Sequence, residues 1–169
     1  RNPGRLIFRQ QYEFYSRWYH NTIRELVTLY DFKDNYALIG KLVRPQLSEK
    51  QVKDSIKLLL KLNFIKKTKS GYRQTSSLIT TGDEVKSLAV QNFHTRNLEL
   101  AAESMDTVQA HKRDISCLVL GLSTNGAEQV KKEIQTFRKK LLDIAEHDKE
   151  MNAVYHVNFQ LFPTSREIA

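Results

Sequence analysis

Hydrophobic positions in the first half of the chain recur at helical spacing and then change to short β-type runs. Residues 18–30 carry apolar side chains every three or four positions, which predicts an amphipathic helix, and residues 36–43 predict a shorter one. A third helix is predicted to begin at residue 48. Two short runs over residues 64–75, joined by a turn that ends at Gly71, predict a β-hairpin. Three helices followed by a hairpin are typical of a winged helix-turn-helix domain.

The third predicted helix has an apolar face and a lysine face. Ser48 and Gln51 have the spacing of a capping box, and Asn63 has the residue type that commonly ends a helix in the left-handed conformation. The apolar positions, expected to be buried, are Val52, Ile56, Leu59 and Leu60. A second stripe, roughly 120° away around the helix, consists of Lys50, Lys53, Lys57 and Lys61.

The second half of the chain predicts a helix, a strand, a helix and a strand. A long helix is expected from about residue 83 to residue 107, with Thr81 and Glu84 as a second capping box. Residues 115–122 form a continuous apolar run of strand length, in which Cys117 is expected to be a small buried hydrophobic residue. The last strand is predicted over residues 155–161, where apolar and polar residues alternate and give one buried and one exposed face.

The helix between these two strands carries a coiled-coil-like seam. Asn125 and Glu128 could cap it, and the apolar pattern ends near His147. The seam repeats at steps of four, three, four and three, at Val130, Ile134, Phe137, Leu141 and Ile144. Two explanations remain open from the sequence: the seam packs on the neighbouring sheet, or it mediates formation of a homodimer.

Charge divides the chain into the same two halves. Residues 1–80 hold 16 Lys and Arg against 6 Asp and Glu, whereas residues 81–169 hold 11 against 13. A basic excess confined to one half favours a polyanionic partner for that half, and double-stranded DNA is the partner that we expect. The alternative is that lysine merely fills a solvent-exposed helix face. The DNA-contacting residues predicted from this pattern are Arg44, Gln46, Lys50, Gln51, Lys53, Lys57, Lys61, Lys66, Lys67, Lys69 and Arg73.

The aromatic residues near the start of the chain have two interpretations. Tyr12, Phe14, Tyr15, Trp18 and Tyr19 could provide a platform on which bases stack, or they could pack between structural elements. Their clustering at the start of a helix favours packing.

No catalytic signature is found in the sequence. The five histidines are scattered, and neither HExxH nor CxxC spacing occurs, so we expect no metal site. A glycine-rich phosphate loop is missing from a chain with six glycines, and we expect no cofactor and no enzymatic activity. The single cysteine fits a reducing cytoplasm, and no apolar run reaches the roughly 20 residues that a membrane span needs.

Four stretches of the chain, in this order and spacing, resemble a bacterial family known as the Fibrobacter paralogous family, which has a C-terminal domain of unknown function. The stretches are SRWYHNTIRELVTL, QVKDSIKLLLKLNFIKKTKSGYRQT, RDISCLVLGLS and VYHVNFQLFPTS. The resemblance implies winged-helix transcriptional regulators, and it implies a further N-terminal helix-turn-helix-like region that this sequence would lack. It supplies no catalytic or ligand residues.

Together these patterns predict an α+β protein with three parts. Residues 1–16 are expected to be the tail of an upstream region, residues 17–80 a winged helix-turn-helix domain, and residues 81–169 a small helix-strand-helix-strand domain for dimerisation or sensing. The expected function is a cytoplasmic DNA-binding regulator of transcription that forms a homodimer. A small-molecule effector is compatible with the second half. The alternative is a non-catalytic protein–protein interaction module on the same winged-helix scaffold.

Overall fold

A computed structural model of the chain describes residues 12–75 and 88–168. The described residues form an α+β structure that is mainly helical, with one two-stranded antiparallel sheet. Its elements are α1 (Tyr19–Leu29), α2 (Tyr36–Leu42), α3 (Glu49–Lys61), β1 (Ile65–Thr68), β2 (Gly71–Gln74), α4 (Leu88–Thr107) and α5 (Thr124–His147). The predicted capping box at Thr81 and Glu84, and the boundary predicted near residue 80, lie outside these ranges.

Helix α3 begins and ends as the sequence predicts. The Ser48 hydroxyl accepts a hydrogen bond from the Gln51 backbone N–H at 3.1 Å, and the Gln51 side chain accepts one from the Ser48 N–H at 2.9 Å. These reciprocal bonds satisfy donors that the first helical turn would otherwise leave open. Asn63 has a φ of 59°, the left-handed conformation expected just past the end of a helix. Leu60 differs from the prediction, because 39% of its surface is exposed.

The hairpin closes through a tight turn after β1. Thr68 pairs with Gly71, and Lys66 pairs with Arg73. Gly71 has a φ of +115°, and a Cβ at this position would lie 3.2 Å from the Cβ of Asp31. Glycine therefore lets the second strand begin in a conformation and in a space that other residues would not tolerate.

The hydrophobic core combines the first helices, the hairpin and the start of α4. Phe14 contacts Phe64 edge-to-face at a centroid distance of 5.0 Å, and Tyr15 contacts Phe93 in the same way at 4.9 Å. Packing is therefore the confirmed role of these two early aromatic residues. The buried hydrophobic residues are Phe14, Tyr15, Ile23, Val27, Ile39, Val43, Val52, Ile56, Leu59, Leu62, Ile65, Ala89, Val90 and Phe93.

One polar contact inside this core ties α1 to α3. The His20 Nδ1 atom lies 2.7 Å from the Ser55 hydroxyl, and both side chains are buried. Burial, and then the charge of Arg17, lowers the pKa of His20 to about 4. The imidazole is therefore neutral at pH 7 and exchanges a hydrogen bond with the serine.

Beyond Asn97 the described chain buries no residue. Residues 115–122 and 155–161, which the sequence predicts as strands, form no strand with any described segment. The prediction of two strands is therefore wrong for the single chain. Cys117 is exposed rather than buried. Helix α5 ends at His147 as expected, but its N-cap is Ser123, whose hydroxyl accepts from the Gly126 N–H at 3.0 Å, and not Asn125.

Residues 155–158 reverse the two faces that their alternation predicts, whereas Phe159 is half-buried against Phe137. His156 lies 3.0 Å from the Thr22 hydroxyl, and the Asn158 side chain donates to the Asn97 carbonyl at 3.1 Å. The polar residues thus point towards α1 and α4, while the apolar Tyr155 and Val157 are exposed. An apolar face turned outwards is the opposite of what a sheet packed on its own core would show.

Among the helices of the described residues, none has the length and apolar character required to cross a membrane.

Candidate nucleic-acid interface

The outward face of α3 carries the lysine stripe that the sequence predicts. Val52, Ile56 and Leu59 are buried, so the positions on the opposite side of the helix project away from the core. Lys53 and Lys57 are exposed there, four residues apart and thus on the same side of the helix. Neither forms a salt bridge with a described residue, although, after the hydrogen bond from Lys50, the charges of both contribute to lowering the pKa of the neighbouring Asp54, and the two lysines lie about one turn apart.

The two lysines at the ends of the stripe have acidic partners. Lys50 donates to Asp54 at 2.8 Å, and Lys61 lies 4.0 Å from Glu13. The hydrogen bond from Lys50 lowers the pKa of Asp54. These carboxylates reduce the positive charge that Lys50 and Lys61 can offer to an anion, although the predicted stripe included both equally.

Two of the three residues predicted ahead of and at the start of α3 are held by other contacts. The Gln51 side-chain oxygen accepts from the Ser48 N–H in the capping box, so it is already engaged as an acceptor. Arg44 donates to the Thr107 carbonyl at the end of α4, at a distance of 3.4 Å. Gln46 is exposed in the segment between α2 and α3. The amide of Gln51 therefore serves the helix end rather than a base edge.

The hairpin places two positive side chains opposite each other. Lys66 of β1 pairs with Arg73 of β2, and both are exposed. Residues directly opposite in an antiparallel pair share one face of the sheet, and like charges at such a site are destabilising. Neither side chain forms a salt bridge with a described residue. An external anion between the two would relieve this repulsion.

Lys67 has a structural role in the hairpin that sequence reasoning missed. Its ammonium group donates to Asp34 at 2.5 Å and lies 5.6 Å from the centroid of the Tyr72 ring. The Tyr72 hydroxyl donates to the same carboxylate at 2.8 Å. The hydrogen bonds from Lys67 and Tyr72 lower the pKa of Asp34, and burial followed by the bond to Asp34 raises the pKa of Tyr72. Lys67 therefore anchors the hairpin to the segment before α2.

The predicted basic side chains on α3 and the hairpin thus divide into those that form a salt bridge with a described residue and those that do not. The paired lysines are Lys50, Lys61 and Lys67. The unpaired group, called the basic face below, consists of Lys53, Lys57, Lys66, Lys69 and Arg73, all exposed and without a salt bridge to a described residue. Three residues separate Lys61 from Ile65, so the end of α3 and the start of β1 are at most about 14 Å apart.

Apolar exposure in the same stretch is small. Residues 50–73 are described in full, and Leu60 is the sole large hydrophobic residue in them that is exposed. A protein-binding surface usually needs a contiguous apolar patch. One leucine among five cations that form no salt bridge with a described residue is a better match to a polyanion than to an apolar partner.

The seam predicted for dimerisation is only partly covered. Phe137 is 52% exposed and Ile144 is 65% exposed, while Val130, Ile134 and Leu141 are half-buried. Phe137 contacts Phe159 at a centroid distance of 6.1 Å. The contact with residue 159 joins the seam to one of the two predicted strand segments, but no sheet of the described chain covers the seam.

A cavity lies between the two halves of the chain, rather than within the second half, for which the sequence suggested an effector. It has a volume of about 880 Å³ and lies between the start of α1, the first half of α3 and α4. Trp18, Arg17, Lys50, Asp54 and Arg96 are among its lining residues. No group of three or more His, Cys, Asp or Glu side chains in the described residues is arranged to hold a metal ion.

Comparison with known proteins assigns the chain to a family. A family model described as Domain of unknown function (DUF4423) matches residues 2–164. No curated protein and no solved structure gave a significant match. The expectation of a family defined by a domain of unknown function is confirmed, and because the match spans nearly the whole sequence, the chain belongs to the DUF4423 family.

Proposed function

We propose that the chain is a DNA-binding regulator in which α1, α2, α3 and the hairpin act as a winged helix. The single observation that carries this proposal is the like-charged pair of Lys66 and Arg73, exposed side by side with no acidic partner in the described residues. A folded protein that keeps such a pair tolerates repulsion that an anion would remove. The wing of a winged helix contacts the phosphate backbone, which is an anion of this kind.

The rest of the basic face supports the same partner. Lys53 and Lys57 lie on the outward side of α3, the third helix, which in a winged helix enters the major groove. Each phosphate neutralised by a lysine releases a condensed counterion, so binding by this face depends strongly on salt concentration. Half of the sequence carries the basic excess, in agreement with a single binding region.

The same residues indicate modest sequence preference. Lysine contacts to phosphates position a protein on the duplex but do not identify bases. Gln51, the α3 residue best suited to read adenine, is engaged in the capping box. We therefore propose that this face provides affinity and orientation, and that sequence discrimination depends on residues outside it.

A titration with random-sequence duplex DNA at several salt concentrations tests the proposal. Lys53→Ala combined with Lys57→Ala should weaken binding for all sequences and reduce the slope of log K against log salt by roughly 1 to 2. The matched control is Lys132→Ala with Lys139→Ala, which removes the same charge from the exposed side of α5 opposite the seam. Equal losses in both double variants, or no loss in the first, would contradict the assignment of α3 to DNA.

The substitution Lys66→Glu separates binding from folding. A glutamate opposite Arg73 converts the repulsive pair into an attractive one, so the free energy of unfolding should stay the same or rise by about 0.2 to 1 kcal/mol. DNA affinity should fall, because one phosphate contact is replaced by a repulsive charge. An unchanged affinity for DNA in this variant would favour the alternative function, a scaffold for protein contacts.

A further inference from the structure

The second half of the chain has the sequence of a folded unit but lacks the core of one. Helix α5 spans Thr124–His147 without a buried residue, and no described residue after Asn97 is buried. Helices in proteins draw most of their stability from packing an apolar face, and this helix has such a face in its seam. The unit therefore needs a cover that the described chain does not supply.

Two segments of the same half also lack backbone partners. Residues 115–122 and 155–161 have the apolar and alternating patterns of strands, yet neither makes a backbone hydrogen bond to another described residue. Strand backbone exposed in this way is a template for pairing with another strand. Leu118 and Val119, adjacent residues that would point to opposite faces of a strand, are 84% and 88% exposed. Both faces of this segment are thus uncovered.

We propose that this half docks on a second copy of the chain, and that residues 115–122 and 155–161 pair as strands across the interface. A second copy offers the same two unpaired segments and the same seam, which a two-fold axis can bring together. The contact between Phe137 and Phe159 already places the seam beside one of these segments. The proposal does not depend on DNA binding, because the interface lies outside the basic face.

The area and the charge of the surface suit a second copy. Seven large side chains of these elements are more than half exposed: Leu118, Val119, Leu120, Phe137, Ile144, Tyr155 and Val157. With about 200 Å² for a fully exposed large side chain, they expose about 900 Å² together, which is comparable to the roughly 800 Å² that each partner of a stable complex contributes. Residues 81–169 hold 11 basic against 13 acidic residues, so two copies of this half would repel each other little.

The first measurement is the mass of the full chain in solution, without DNA, at about 50 µM. We expect a dimer, and Val119→Glu should raise its dissociation constant by about 100-fold or more, because a charge would have to be buried at the interface. Val119 is exposed in the single chain, so the variant monomer should keep the circular dichroism of the first half. Val119→Thr preserves the β-branched shape and should remain a dimer.

A second control tests whether any added charge on an exposed hydrophobic residue has the same effect. Leu42 in α2 is 51% exposed and lies in the first half, so Leu42→Glu should leave the dimer intact. A wild-type monomer at 50 µM would overturn the proposal and would leave another protein, or residues outside the described ranges, to cover the surface. A dimer that Val119→Glu does not weaken would overturn it as well.

Hydrogen exchange tests the strand pairing itself. The amides of residues 115–122 and 155–161 should be protected in the wild-type dimer and should exchange rapidly in the Val119→Glu monomer. Protection limited to α5, with rapid exchange in both segments, would mean that the copies meet through the helical seam alone and would refute the intersubunit sheet.

Discussion

Residues 12–75 and 89–97 bury most of their large apolar side chains within the chain, whereas residues 98–168 leave theirs half-buried or exposed. In the first region the helices, the hairpin and the start of α4 all contribute side chains to one hydrophobic core. The second region has equally apolar sequence in α5 and in its two strand-type segments, but these elements do not converge. Apolar content alone therefore does not make a core. Elements must also be brought together, within one chain or between two.

The comparison extends to electrostatics. In the first region, positive charges remain free on an exposed face while Lys50, Lys61 and Lys67 are neutralised by carboxylates. In the second region the charges nearly cancel, and the exposed surface includes large apolar side chains such as Leu118 and Val119. One region thus exposes a group of positive side chains, and the other exposes large apolar side chains.

The largest expected effect is loss of packing in the first region. Ile56→Ala should lower the free energy of unfolding by about 2 to 5 kcal/mol, because the side chain is buried in the core. Leu60→Ala in the same helix should lower it by less than about 1 kcal/mol, and Lys57→Ala by no more than about 0.5 kcal/mol. Urea unfolding measures all three. Similar losses for Ile56 and Lys57 would show that the buried face of α3 is assigned incorrectly.

A pH dependence should also originate in the first region. His20 has a pKa of about 4 in the native state and an ordinary value of 6.5 when unfolded. Between these values the unfolded chain binds a proton that the native chain does not, so native stability is lost as the pH falls from 6.5 towards 4. The full difference corresponds to about 3 kcal/mol.

His20→Gln should remove this part of the pH dependence, as measured by urea unfolding from pH 7 to pH 4. The control is His94→Gln, which changes an exposed histidine of α4 and should leave the profile as it is in the wild type. If both variants kept the wild-type profile, the buried imidazole would not be the source of acid sensitivity.

The smallest predicted effect is that hydrogen-exchange protection depends on protein concentration in the second region but not in the first. If a second copy covers residues 98–168, tenfold dilution of the dimer should reduce the hydrogen-exchange protection of α5 by about threefold, because the monomer fraction rises with the square root of dilution. Amides of α1 and α3 should keep their protection, since their core lies within one chain. Protection of α5 that did not change with concentration would remove the contrast between the regions.

Local features of the first region could be predicted from the sequence because their causes lie within a few residues. The capping box of Ser48 and Gln51, the left-handed Asn63 and the turn before Gly71 all depend on neighbours along the chain. The ion pair of Lys50 with Asp54 also spans only one helical turn and was visible in principle. The exposure of Leu60 could not be predicted in this way, since Leu60 lies at the edge of the apolar stripe and its burial depends on which elements pack beside it.

Contacts between distant residues required the tertiary structure. Lys67 meets Asp34 across 33 positions of sequence, and Lys61 approaches Glu13 from still farther away. A pattern of charges along a helix shows which residues share a face but not which carboxylates the fold brings to them. The division of the predicted lysines into free and paired ones therefore came from the fold.

The two strand-type segments show most clearly that a sequence pattern does not determine which elements lie beside each other. Alternation over residues 155–161 determined that one face is apolar and the other polar, and the structure retains that alternation in the contacts of His156 and Asn158. Alternation did not determine which face points inwards, because that depends on what lies beside the segment. It also could not supply a partner strand, since backbone hydrogen bonds between strands are the same for any sequence and any chain. The sequence therefore determined the elements and their faces, and only the tertiary structure decided that Tyr155 and Val157 are exposed while Phe159 packs against Phe137.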